Sequence, residues 1–220
     1  MTRSTLHEAA GELARRDTAL RGIHERLGTP PLWGRQPGFA TLVHIILEQQ
    51  VSIPAARTLF LRLKRHLGGV TAERVAATPI VALQRFGLTR QKAGYCHGLA
   101  LRIVDGRLDL GAAARAPDEL GRRELLAVPG LGPWSVDIYY LMALRRPDVW
   151  PTGDLALAVA MRELEGMSRL PTRDEQAHVA RRWSPWRSVA ARLLWAHYLE
   201  ARGRYLPERR PARSLAGRRS

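Results

Sequence analysis

The sequence predicts an all-α fold, on three observations: apolar residues recur at helical spacing almost throughout, helix starts are marked by capping residues and prolines, and runs of alternating β-branched residues are absent. About ten helices account for that pattern. Leu6, Leu13, Leu20 and Leu27 recur at heptad spacing, and Gly28-Thr29-Pro30-Pro31 reads as the loop that follows them. Leu59, Phe60, Leu63 and Leu67 mark one helix face, and Tyr95, Leu99 and Ile103, each one turn apart, mark another. Thr78-Pro79 and Ser184-Pro185 each place a capping hydroxyl before an expected N1 proline, and Thr172 with Glu175 has the form of a capping box. Arg146-Pro147-Asp148 is a connecting loop. The Arg/Pro/Gly-rich end after Leu206, residues 207–220, is expected to be disordered.

At 220 residues the chain holds one to two domains and can bury a sizeable core. Its formal net charge is +15, so polyanions are the expected ligands. Seven arginines and one glutamate lie between Arg202 and Ser220; they carry +6 of that +15, which leaves 15 − 6 = +9 on the rest. The excess is therefore more than a tail effect. It is nearly all arginine, since Lys64 and Lys92 are the only lysines, and such a bias also records base composition.

Cys96 is the only cysteine, which excludes an internal disulfide and a four-cysteine iron–sulfur cluster. No N-terminal signal segment and no stretch of roughly 20 apolar residues is present, so no membrane association is expected. The expected setting is the cytoplasm of a prokaryote, at the nucleoid, as a monomer. His44, His97 and His197 have no metal-ligand spacing, and no zinc site is predicted. Asp137 and Glu48 read as structural or solvated.

The chemistry concentrates in Leu125-Leu126-Ala127-Val128-Pro129-Gly130-Leu131-Gly132-Pro133-Trp134-Ser135 and in Pro151-Thr152-Gly153-Asp154. The first stretch is a helix end running into a Pro-Gly-x-Gly turn that opens onto a second helix. Such a junction gathers several unpaired backbone N–H groups at one point, a ready phosphate site. Both Gly130 and Gly132 are expected to serve a tight turn at positive φ and to let an anionic oxygen approach the amides. Pro133 fits the first helical position, where no N–H is missed. On local sequence alone, Asp154 before Leu155-Ala156-Leu157 is a helix N-cap. That role and a chemical one are compatible, because the positive end of a helix suits a carboxylate.

This pattern resembles the helix-hairpin-helix of the base-excision DNA glycosylases, the HhH-GPD superfamily, and is closest to the 3-methyladenine DNA glycosylase II type. Ile45-Ile46-Leu47-Glu48-Gln49-Gln50-Val51-Ser52 is similar to the family segment that carries the residue pushed into the duplex. Phe86-Gly87-Leu88-Thr89-Arg90-Gln91-Lys92-Ala93 looks like the turn that follows it, and Ser184-Pro185-Trp186-Arg187-Ser188 with Leu194-Trp195 like the closing helix. The resemblance covers about Phe39 to Leu199. It implies a two-lobed helical core over 1–206, with one lobe of roughly 39–110 and another of the N-terminal helix plus 111–206. The small mixed α/β domain of longer bacterial members is expected to be lacking.

By the same resemblance, Gly130, Gly132 and Ser135 hold DNA phosphate, Trp134, Ile138 and Trp186 line the base pocket, and Gln50 is the wedge. Asp154 is the catalytic acid. The carbonyls of Leu126, Val128 and Leu131 would hold a Na+ or K+; no other cofactor is expected. Ile138 stands where the long bacterial enzyme has an aromatic residue, which implies a roomier pocket. Bifunctional members place a Schiff-base lysine two residues after the second hairpin glycine, and that position here is Trp134. The implied activity is therefore monofunctional N-glycosyl hydrolysis in base excision repair, on double-stranded DNA carrying 3-methyladenine, 7-methylguanine and related cationic lesions. Two alternatives remain at this point. A non-catalytic DNA-binding protein would use the hairpin and have no need of Asp154, and a glycosylase/lyase lacks its lysine.

Overall fold

The structure, a computed structural model, describes residues 1–205, so the expected disorder of 207–220 lies outside the described residues. The described residues form thirteen α-helices and one 3-10 turn, with no strand among them. In chain order the helices are α1 (Arg3–Arg16), α2 (Thr18–Leu27), α3 (Phe39–Glu48), α4 (Ile53–Leu67), α5 (Ala72–Ala76), α6 (Ile80–Arg85), α7 (Arg90–Val104), α8 (Leu110–Arg115), α9 (Asp118–Leu126), α10 (Pro133–Met142), α11 (Leu155–Glu165), α12 (Arg173–Ala180) and α13 (Arg187–Glu200); the 3-10 turn is Arg181–Trp183. More helices form than the apolar spacing predicts because α5, α6 and α8 are only 5–6 residues long, too short to display a period.

Two packed units divide the chain: Trp33–Asp154, and Met1–Leu32 with the described residues from Leu155 onward. This corrects the expected lobes. Residues 111–154 belong with 39–110, because α10 packs on α3 and α9 packs on both α8 and α10. In this unit α3 is the central rod: Phe39, Leu42, Val43, Ile45, Ile46 and Leu47 are all buried, as befits a helix apolar on nearly every side. Helices α4, α7 and α10 pack on α3, and α5 and α6 pack on α7. Cys96 of α7 is buried, and burial pushes its thiol up to about 12, so it stays protonated and inert.

In the other unit α13 is the centre, buried without a break from Ser188 to Ala196, and α1, α2 and α11 pack against it. The heptad leucines straddle a break. Asp17 ends α1 and caps α2 by accepting the Leu20 N–H (3.1 Å), leaving Leu6, Leu13 and Leu20 in the core. Thr172 and Glu175 form the expected capping box at α12. The two X-Pro starts do not form as expected. Thr78 donates its hydroxyl back to the Arg74 carbonyl (2.7 Å) and Pro79 itself precedes α6. Ser184 closes the 3-10 turn through its N–H to the Arg181 carbonyl (3.2 Å), and Trp186 precedes α13. In both places the hydroxyl residue is claimed by the element behind it.

Candidate active site

Helix α9 ends at Leu126, and the Leu131 N–H then bonds the Val128 carbonyl (3.0 Å) to close the hairpin turn. Gly130 is required there twice over. Its φ is +92°, and a Cβ on it would lie 2.4 Å from the Tyr95 ring. Gly132 differs from expectation: its φ is −82°, open to any residue. Only the steric reason survives for it, since a Cβ there would point into open space, where a ligand would approach. Pro133 opens α10, which has no side-chain cap, and its hydrogen-bond ladder starts with the Val136 N–H to the Gly132 carbonyl (3.1 Å). The amides of Gly132, Trp134 and Ser135 lie ahead of that bond, the arrangement that receives an anion. Ser135 is 2% exposed, and its hydroxyl accepts the Gln49 carboxamide Nε2–H (2.9 Å).

Asp154 follows the turn through Thr152 and Gly153 (φ +83°), its N–H bonded to the Pro151 carbonyl (3.2 Å), and immediately precedes α11. The Trp134 indole Nε1–H donates to Asp154 Oδ2 at 2.9 Å. Trp134 is the second residue of α10, so the hairpin that presents amides also fixes one oxygen of this carboxylate. Sequence reasoning assigned Trp134 a stacking face and missed the bond. Both residues are half-buried. Ile138, one turn further along α10, is 3% exposed.

Trp186 lies in the other unit, half-buried, with its indole Nε1–H on Glu12 Oε2 (2.7 Å). That bond holds the Glu12 carboxyl below its ordinary range, helped by Arg16 at 3.0 Å. Gln50 stands exposed after α3 at φ +58°, a left-handed conformation unusual for a residue with a side chain. Lys92 donates to the Leu47 and Gln49 carbonyls (2.8 Å each), and its partial burial pulls its pKa down. Neither Lys92 nor Lys64, which is exposed on α4, lies on the hairpin. Asp137 is buried and paired with Arg122, and Glu48 with Arg35 (2.7 Å), both structural as expected.

Among the described residues no cluster of His, Cys, Asp and Glu is suited to a metal. The carbonyls of Leu126, Val128 and Leu131 are neutral oxygens on one turn, a donor set that fits a hard cation. The Val128 oxygen keeps a second lone pair beyond its bond to Leu131. No helix of the described residues is long and apolar enough to cross a membrane.

A helical unit that joins an uncapped Pro-Gly-x-Gly hairpin to a tethered carboxylate defines a class. The model of the HhH-GPD superfamily of base excision DNA repair proteins matches residues 43–185, and the chain belongs to that superfamily. The putative DNA-3-methyladenine glycosylase YfjP of Bacillus subtilis is 26% identical over 186 residues, covering 81% of this chain and 65% of that protein. The probable bifunctional transcriptional activator/DNA repair enzyme AlkA of Mycobacterium tuberculosis is 31% identical over 206 residues, covering 81% of this chain and 40% of the other. The chain thus spans less than two thirds of the length of either relative. A DNA-3-methyladenine glycosidase from Bacillus halodurans superposes with a TM-score of 0.75 at 26% identity, covering 90% of this chain and 92% of that one. The 3-methyladenine DNA glycosylase Mag1 of Schizosaccharomyces pombe, solved with abasic DNA, also gives 0.75, at 22% identity over 86% of this chain and 95% of that one, and so speaks to the fold.

Proposed function

We propose that this chain is a monofunctional DNA glycosylase that flips alkylated, positively charged bases out of duplex DNA and releases them by hydrolysis, acting as a single chain. The bond from Trp134 to Asp154 carries the reading: it sets a carboxylate oxygen beside a phosphate-type hairpin within one packed unit. The names of the relatives support the substrate class.

A stacked base is out of reach of any side chain, so flipping comes first and costs a few kcal/mol, with Gln50 filling the gap. The hairpin amides of Gly132, Trp134 and Ser135 grip the backbone. Breaking the glycosidic bond builds positive charge on the sugar, and Asp154 stabilises it and aligns water. A purine methylated at N3 or N7 already bears positive charge and leaves neutral, so no acid is needed to protonate it. Trp134 supplies an electron-rich face for that cation, worth about 0.5–2 kcal/mol. A Na+ or K+ on the Leu126, Val128 and Leu131 carbonyls would add positive charge at the phosphate contact. The absence of a hairpin lysine supports hydrolysis without strand cleavage.

The test is incubation with methylated duplex DNA, followed by chromatography for free methylpurine and by gel for strand breaks without added base. Free methylpurine with intact strands is the expected result. Binding without release would make the chain a non-catalytic hairpin protein, and strand breaks would make it a lyase.

A further inference from the structure

The chain between α3 and α4 is held from two directions. Helix α3 ends at Glu48, and helix ends leave carbonyls without partners. Glycine usually resolves this by turning left-handed just past the end. Here the left-handed residue is Gln50, at φ +58°, which pays a steric cost that glycine would not. A glycine there would have nothing to insert. The ammonium of Lys92 reaches from α7 to the carbonyls of Leu47 and Gln49 at 2.8 Å each, and so supplies the donors that the turn lacks.

The second hold is the Gln49 carboxamide. Its Nε2 donates to the Gly130 carbonyl (2.8 Å) and to the Ser135 hydroxyl (2.9 Å), using both of its protons on the hairpin. Gly130 is itself fixed by its positive φ and by the Tyr95 ring against it. The loop therefore cannot shift without the hairpin. Two large apolar side chains beside Gln50 face outward, Val51 at 46% exposure and Ile53 at 67%. Apolar side chains of this size are the kind that enter between base steps.

We infer that Gln49, backed by Lys92, is a positioning residue that couples the duplex-inserting loop, Gln50 with Val51 and Ile53, to the phosphate-gripping hairpin. The inference rests on the reading of Gln50 as the wedge. Phosphate grip and insertion then act as one rigid event. A loop not tied to the hairpin would lose the wedge's register while the hairpin kept its hold on DNA.

The test uses the full chain, with Gln49→Met, which keeps length and removes both donors, Lys92→Met, Gln50→Ala, and the double variant Gln49→Met/Gln50→Ala. Flipping is followed by 2-aminopurine fluorescence next to a lesion in a duplex, affinity for undamaged duplex by titration, and folding by thermal melting. Gln50→Ala and Gln49→Met should each lower the flipped fraction and single-turnover release by about tenfold, one lost positioning contact. The double variant should be no worse than the poorer single to within about twofold, because contacts in one chain of action do not add. Affinity for undamaged duplex and melting should stay near wild type. A purely structural Gln49 would lower melting and affinity together, and additive losses in the double variant would show independent action; either overturns the inference. Lys92→Met gives a second test should Gln49→Met fold poorly: it too should reduce flipping, and unchanged flipping in a folded Lys92→Met counts against the coupling. Normal flipping in Gln50→Ala would sink the wedge reading itself, a different failure from normal flipping in Gln49→Met alone.

Discussion

Replacing Trp134 by Phe separates two jobs that one side chain performs. Phenylalanine keeps an aromatic face at the second position of α10 and removes only the indole N–H that reaches Asp154 Oδ2 at 2.9 Å. A hydrogen bond from a neutral donor to a carboxylate contributes about 1.5–3 kcal/mol net. If that bond holds the carboxylate where positive charge develops, the loss falls on the transition state alone. Each 1.36 kcal/mol is a factor of ten, so single-turnover release should fall by about ten- to 150-fold. The fall should be equal for 3-methyladenine and 7-methylguanine, because the missing proton touches neither base. Trp134→Ala should lose more on cationic lesions than on neutral ones, since it also removes the face. The assay is base release from duplexes carrying each lesion at saturating enzyme, with affinity for an abasic-site analogue as the binding control. A Trp134→Phe enzyme at the wild-type rate would refute the reasoning: the carboxylate would not need its tether.

Asp154→Asn should abolish base release while leaving affinity for an abasic-site analogue within a few-fold of wild type; full activity would remove the carboxylate from the reaction. Gly132→Glu should weaken binding to damaged and undamaged duplex alike in a filter-binding titration, because it puts a side chain and a negative charge into the open space ahead of α10. An effect confined to one lesion would mean that the loop reads bases. Release should favour 3-methyladenine and 7-methylguanine over hypoxanthine and 8-oxoguanine, whose departure as anions needs a proton donor; the reverse order in single-turnover assays would reveal a missed general acid. The Trp186 indole holds the Glu12 carboxyl below the ordinary value of 4.5, so the contact stabilises the fold above that pH and is lost as pH falls through the depressed value. Trp186 emission, taken as the difference from Trp186→Phe, should therefore be flat above about pH 4.5 and change only below it.

What the sequence makes legible is what is local. The hairpin could be placed because Gly130, Gly132 and Pro133 constrain a few consecutive residues, and the Thr172–Glu175 box because its partners are three residues apart. Even there the reason for Gly132 was only half readable, since φ −82° does not follow from the residue type. The lobe boundary was not legible. It depends on α10, buried from Ser135 to Leu141, and on Gly121, where a Cβ would lie 2.2 Å from the Ala113 carbonyl oxygen. Close approach of α9 to α8 leaves no periodic trace.

The working contacts are the least local of all. Indole N–H groups end on distant carboxylates: Trp134 on Asp154 across 20 residues, Trp183 on Asp17 across 166 and Trp186 on Glu12 across 174. Gln49 reaches Gly130 and Ser135 across 81 and 86 residues. A tryptophan in a sequence reads as apolar area and a glutamine at a helix end as solvated, because those are their commonest fates. Each carries directional hydrogen-bonding capacity that only the fold assigns. The N–H of a buried indole usually finds a partner, so a buried or half-buried tryptophan near a candidate carboxylate is a prediction about that carboxylate's geometry. Asp154 was found from the family pattern around it, but what aims Asp154 is a donor on a residue chosen for its face.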